Sequence, residues 1–164
     1  MNSDVAIHAF KLLSQPATAQ EGLRILEAEA DRLPDSAKAL FDLASANDML
    51  DREAEANVLY QRVRTIGLES LPPDDQPRWY VQAGSTLRLL GRFDQSRAVL
   101  SEGIGRFPDY SALHAYKALT DIADGQPLTA AVNLLDALLG FDESSLQYYG
   151  RALRAYREEI TGAR

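Results

Sequence analysis

The chain has 164 residues, 46% apolar and 25% charged, the balance of a folded domain and not of a disordered segment. It contains no cysteine, which excludes disulfides, thiolate metal sites and a cysteine nucleophile. The net charge of -7 falls wholly in residues 1–76, which hold 14 acidic and 7 basic side chains, whereas residues 77–164 hold 10 of each. With no basic face, a nucleic-acid partner is not expected.

Residues 1–10 carry Asp4 and no basic, apolar leader, and no apolar run approaches the roughly 20 residues that span a bilayer. A cytoplasmic chain without membrane contact is expected. No alternating Val/Ile/Thr run suggests a strand. Thr18 and Glu21 have the spacing of a capping box, in which side chains satisfy the free N–H groups of a first helical turn. Gly22, Leu26 and Pro34 fit a helical hairpin over about 3–36, with Phe10 where the later units carry a small residue.

The second unit, 37–76, shows apolar residues recurring at three and four. Leu40, Leu43 and Ala44 mark its first helix, and Val58, Leu59, Val63 and Ile66 its second, together with Ala56 and Tyr60. Residues 69–76, with Pro72, Pro73, Asp74 and Asp75, predict a loop, and Pro77 suits the first turn of the next helix. The third unit, 77–110, reads Tyr80-x-x-Ala83-Gly84-x-x-Leu87, then Ser96-x-x-x-Leu100, then Pro108, with Gly91-Arg92-Phe93 at the turn between its helices. Gly84 and Ser96 allow two helices to approach closely, Tyr80, Leu87 and Leu100 fill the space around them, and Pro108 stops the second helix. Thirty-four residues on, 111–143 repeats the frame, with Ala118 for Gly84, Gly125 for Gly91, Ala130 for Ser96 and Leu134 for Leu100. It departs at Lys117 and Asp121, where apolar residues are expected, and at Asp142, which replaces the closing proline. Residues 144–161 predict a last, capping helix. Ser144 and Gln147 form a second capping-box pair, Leu146, Tyr149, Leu153 and Tyr156 take one side, and Arg151, Arg154 and Arg157 take another.

The aromatic, small–small, turn-glycine and closing-proline pattern resembles the tetratricopeptide (TPR) repeat. The stretches Leu40-Phe41-Asp42-Leu43-Ala44-Ser45-Ala46 and Gly84-Ser85-Thr86-Leu87-Arg88-Leu89-Leu90-Gly91-Arg92-Phe93, with the end from Tyr149 to Tyr156, are similar to a small bacterial TPR family over most of residues 37–160. The resemblance implies an all-α, TPR-type solenoid of about four repeats, the first degenerate, closed by a C-terminal helix. It implies a fold and no particular activity. TPR proteins that clamp the C-terminal carboxylate of chaperones use a Lys and an Asn on the first helix. The matching places here hold Phe41 and Ser45, so the resemblance does not imply that activity.

No composite chemistry is legible. His8 and His114 fall in different repeats, and His114 occupies the packing position of Tyr80. Gly103-x-Gly105 lies late in a predicted helix and not at a strand-to-helix turn, so it is no phosphate loop. No metal, no cofactor and no catalytic residues are expected. In a stack of helical pairs the first helices line the concave face. The groove candidates are therefore Phe41, Ser45 and Asp48, then Arg78, Gln82, Ser85 and Arg88, then Tyr116 and Leu119. Arginines would meet carboxylates of a bound segment, and Phe41 and Tyr116 would anchor it. Phe41 reads equally as packing between repeats, and Arg78 and Arg88 as an ordinary solvated face. The aromatic–basic mixture of Tyr148, Tyr149, Arg151, Arg154, Tyr156 and Arg157 suits a nucleic-acid or membrane surface and suits a half-buried cap as well. The expected function is a non-catalytic module that binds a peptide or protein segment. A self-associating homodimer is the alternative, ahead of an enzyme with an unrecognised site.

Overall fold

The computed structural model describes residues 3–140 and 144–162, with side chains over 4–140 and 150–162. The described elements are α1 (Ser3–Leu13), α2 (Ala19–Arg32), α3 (Ala37–Asp48), α4 (Glu53–Ile66), α5 (Asp75–Leu89), α6 (Phe93–Arg106), α7 (Ser111–Ala123), α8 (Pro127–Gly140) and α9 (Ser144–Thr161). Consecutive helices pack in pairs, and the first helix of each pair also touches the first helix of the next: α1 with α3, α3 with α5, α5 with α7. The four first helices therefore form one inner layer. Asp142, the Ser144–Gln147 box, Leu146, Tyr148 and Tyr149 lie outside the described residues or side chains.

The turns inside the last three pairs share one geometry. The backbone N–H of Arg52, Arg92 and Gln126 donates to Asn47, Leu87 and Asp121 respectively, at 2.8–3.0 Å. Each closure needs one left-handed residue, supplied by Asp51 (φ 55°), Gly91 (φ 71°) and Gly125 (φ 75°). Gly91 and Gly125 were legible in the sequence, whereas Asp51 uses the tolerance of Asp for this region.

The core runs from Ala30 to Leu113, and Phe41, Tyr60, Trp79 and Tyr80 are fully buried at its centre. The Trp79 and Tyr80 rings meet edge-on at 5.1 Å, and Trp79 Nε1 donates to the Tyr60 carbonyl at 3.3 Å. At the expected close approach, a Cβ on Gly84 would stand 2.5 Å from Leu100 Cγ, and Ser96 Oγ donates to the Gly84 carbonyl at 2.7 Å. Gly103 has a packing role of its own: a Cβ there would meet Tyr80 Cβ at 2.8 Å. A second cluster joins Ala9, Leu13, Leu23, Leu26 and Ala46.

Several expectations are corrected. Thr18 does not cap α2 with its side chain; its backbone sits at φ −117°, ψ 1°, and its hydroxyl reaches back to the Leu12 carbonyl at 2.9 Å. A working side-chain cap stands instead on α3, where Ser36 accepts from the Ala39 N–H at 3.3 Å. Val58 is 60% exposed, because α4 turns Ala56, Tyr60 and Val63 inward instead. The connection after α4 is not a plain loop. Leu68, which opens a short 3-10 turn, and Leu71, which follows it, are buried, and α5 already begins at Asp75. On α9, Leu153 is half-buried and Arg151 and Arg154 are exposed as expected, but Tyr156 is 62% exposed while Arg157 pairs with Asp136 of α8 at 3.0 Å, the reverse of the expected sides for these two.

Candidate functional site

A groove of about 410 Å³ crosses the inner layer. Phe10 of α1, Asp48 and Met49 at the end of α3, Gln82 and Leu89 of α5, and Tyr116 of α7 mark its course. α3 ends at Asp48, and Met49 just beyond it, 50% exposed, and Leu89, 57% exposed, both line the groove. An adjoining hollow of about 560 Å³ shares Phe10 and Arg78 with it and extends the trough past Ala6 and Ile7 toward Pro72.

A polar network forms the groove floor. Tyr60 Oη lies 2.6 Å from Asp48 Oδ2 and 3.1 Å from Gln82 Oε1. Thr86 Oγ1 lies 2.8 and 3.0 Å from the two Asp48 oxygens, and Ser45 Oγ donates to Gln82 Oε1 at 2.8 Å. Burial pushes the Asp48 carboxyl above the usual carboxylate range, against the hydrogen bonds from Tyr60 and Thr86, and the charge of Glu53 adds to the rise. Burial, followed by the Asp48 charge, also raises the Tyr60 phenol, which keeps its proton as a donor.

A native carboxyl that holds its proton more tightly than the unfolded chain costs stability as pH rises from the unfolded value through the raised native one. On acidification from neutrality to about pH 4 the wild type should gain stability relative to Asp48→Asn, which has no such group. Urea unfolding of both proteins at the two pH values measures this gap; a gap independent of pH refutes it.

Six of the nine groove candidates line the groove: Ser45, Asp48, Arg78, Gln82, Ser85 and Tyr116. Phe41 does not, and this is a correction. It is fully buried, 6.2 Å from the Tyr60 ring, and its face is covered by Lys38 Nζ and the Arg78 guanidinium, each 5.8 Å from the ring centre. Arg78 is committed as well. It donates to Asp75 Oδ1 at 2.6 Å, while Lys38 holds Asp75 at 3.2 Å and Asp42 at 2.6 Å. Its Glu variant would therefore damage a buried ion-pair cluster and not only the groove. Arg88 is half-buried outside the lining, within 3.4 Å of Ser85 Oγ, with its Nε buried and unbonded. Leu119 is 45% exposed and also outside the lining.

The sequence reasoning missed Phe10, Met49, Val81, Thr86 and Leu89. Carrying the i, i+3, i+4 line from Arg78 and Gln82 onward reaches Leu89, and from Ser45 it reaches Met49. Phe10 follows only from the docking of α1 on α3.

The departures at Lys117 and Asp121 resolve into another buried cluster. Asp121 is fully buried, accepts from Asn133 Nδ2 at 2.9 Å, and has Lys117 at 3.4 Å and Arg97 at 3.7 Å. His114 Nε2 is 2.9 Å from the Pro108 carbonyl beside a hollow of about 440 Å³ between α6, α7 and α8, and His8 is on the surface. Among the described residues no three His, Cys, Asp or Glu side chains gather as metal ligands, and no helix is long and apolar enough to cross a membrane.

Paired helices, a shared turn geometry and an inner layer carrying a trough define an all-α helical-repeat solenoid. The sequence model of the tetratrico peptide repeat family matches residues 37–160, and the chain belongs to that family. The match leaves α1 and α2 outside it. No curated protein matches the chain in sequence. Repeats of this family in general mediate protein–protein interaction and are non-catalytic.

Proposed function

We propose that this protein is a non-catalytic interaction module whose inner trough holds a segment of a partner protein. The observation that supports the reading is the trough itself. It is built from helices of successive pairs, its floor is hydrogen-bonded, and Met49 (50% exposed) and Leu89 (57%) stand uncovered along it. Anchors of this kind, apolar and next to fixed polar groups, carry most of the energy of a bound segment.

The test is a pull-down from source-cell lysate that compares the wild type with Met49→Ala/Leu89→Ala. Both side chains are exposed, so the double variant should keep its stability within about 0.5 kcal/mol per site. Recovery of a specific partner should fall about tenfold or more. Equal recovery of the same proteins would remove the trough from the binding surface.

One observation favours self-association as a second reading. Leu119, Ile122, Leu128, Leu138 and Tyr156, all on the last three helices, are 41–66% exposed. Light scattering decides it: a monomer at high micromolar concentration eliminates the homodimer.

A further inference from the structure

Among the described residues, the acidic side chains that the inner layer buries, Asp42, Asp75 and Asp121, each have a cation beside them, whereas the half-buried Asp48 does not. Asp42 has Lys38 at 2.6 Å. Asp75 has Lys38 at 3.2 Å and Arg78 at 2.6 Å. Asp121 has Lys117 at 3.4 Å and Arg97 at 3.7 Å. Asp48 has only neutral donors, Tyr60 and Thr86, and no ion pair among the described residues reaches it. It is also the carboxylate of this group that lines the 410 Å³ groove.

We infer that the segment held in the groove places a lysine or arginine on Asp48, with apolar residues beside it. The inference rests on the trough being the binding face and adds the chemistry of what it binds. Five features carry it. Tyr60 and Thr86 fix the carboxylate, so little side-chain freedom is lost when a cation docks. The one cation that lines the same groove, Arg78, is already held by Asp75 and stacked on Phe41, and does not neutralise Asp48. The walls suit the stem of a long basic side chain: Met49 and Leu89 are open, and Phe10 and Tyr116 supply aromatic surface. The net charge of -7 belongs to residues 1–76, which include α1 and α3, so the field over the groove attracts a cationic segment. The carboxylate is already partly desolvated in the free protein, so an arriving ammonium or guanidinium adds mainly its own desolvation cost and meets a stronger attraction than at a fully exposed carboxylate.

The experiment pans a random peptide library displayed on phage against the full chain. Enriched peptides are then synthesised and their affinities measured by fluorescence anisotropy. The enriched sequences should carry Lys or Arg next to apolar residues, and Asp48→Asn should weaken them roughly tenfold or more. Because Asp48→Asn also alters the floor network, Leu89→Lys and Leu89→Glu provide a second pair at an exposed site. Both remove the same apolar anchor and so share its loss, and binding of the enriched peptides should be weaker by roughly tenfold or more with Lys than with Glu. Acidic or neutral peptides that still depend on Met49 and Leu89, or basic ones indifferent to Asp48→Asn and stronger on Leu89→Lys, overturn the charge assignment and leave the trough as a binding face. Peptides indifferent to every one of these substitutions, or no enrichment at all, overturn the trough reading and the inference together.

Discussion

Trp79→Ala should destabilise the protein by about 3–5 kcal/mol, a large part of the margin that a domain of this size possesses. Trp79 is fully buried where α4, α5 and the chain after α4 converge. It touches Tyr80 edge-on, donates to the Tyr60 carbonyl, and has the Arg64 guanidinium 5.6 Å above its ring. Alanine leaves a cavity that rigid neighbouring helices cannot close, and Tyr60, whose phenol holds Asp48, loses a wall of its pocket. The midpoint of thermal unfolding, followed by circular dichroism because this is the only tryptophan, should fall by about 6–20 °C. A fall of a degree or two would show that the centre of the stack repacks freely, contrary to the close packing described. Trp79→Phe, which keeps an aromatic ring in the site, should lose much less.

Gly22→Val should release α1 rather than unfold the whole chain. A Cβ at Gly22 would stand 2.5 Å from the Ala9 carbonyl oxygen and 2.9 Å from Leu13 N, and backbone atoms cannot rotate aside. The equivalent obstacle at Gly84 is a leucine side chain, which can move. Forcing extra carbons into such a contact costs about 1–3 kcal/mol. Docking of α1 rests on the small cluster of Ala9, Leu13, Leu23, Leu26 and Ala46, and in a repeat stack each unit leans only on its neighbours. Hydrogen exchange should therefore show the amides of α1 losing protection while those of α3 to α6 keep theirs. With α1 displaced, Phe10 leaves the groove wall, so any groove-bound peptide should weaken in the same variant. Unchanged protection of α1 would disprove the tight α1–α2 approach.

Phe41 and Arg78 show how far a groove is legible in a chain. Helical periodicity places residues on a face, but the inner face of a repeat helix is divided between contact with the next helix and the open groove. Phe41 falls on the first side of that division and Ser45, one turn on, on its edge. From the sequence Arg78 reads as available, because residues 69–76, with Asp75, read as a loop. Once α5 is seen to begin at Asp75, the two are an i, i+3 pair on one helix and the arginine is spoken for.

The sequence by itself determined the helices, because their apolar spacing and turn residues are local. It determined the close approach of α5 and α6, because Gly84 and Ser96 carry it in their size. It also determined the family pattern that runs from residue 37 onward. Only the tertiary structure decided the groove floor. Asp48 meets Tyr60 and Thr86 from 12 and 38 residues away, and Ser45 meets Gln82 from 37 away. Which carboxylate receives a cation and which receives only neutral donors depends on how three helices settle against each other. That choice follows from packing of the whole core, and no local window of the chain contains it.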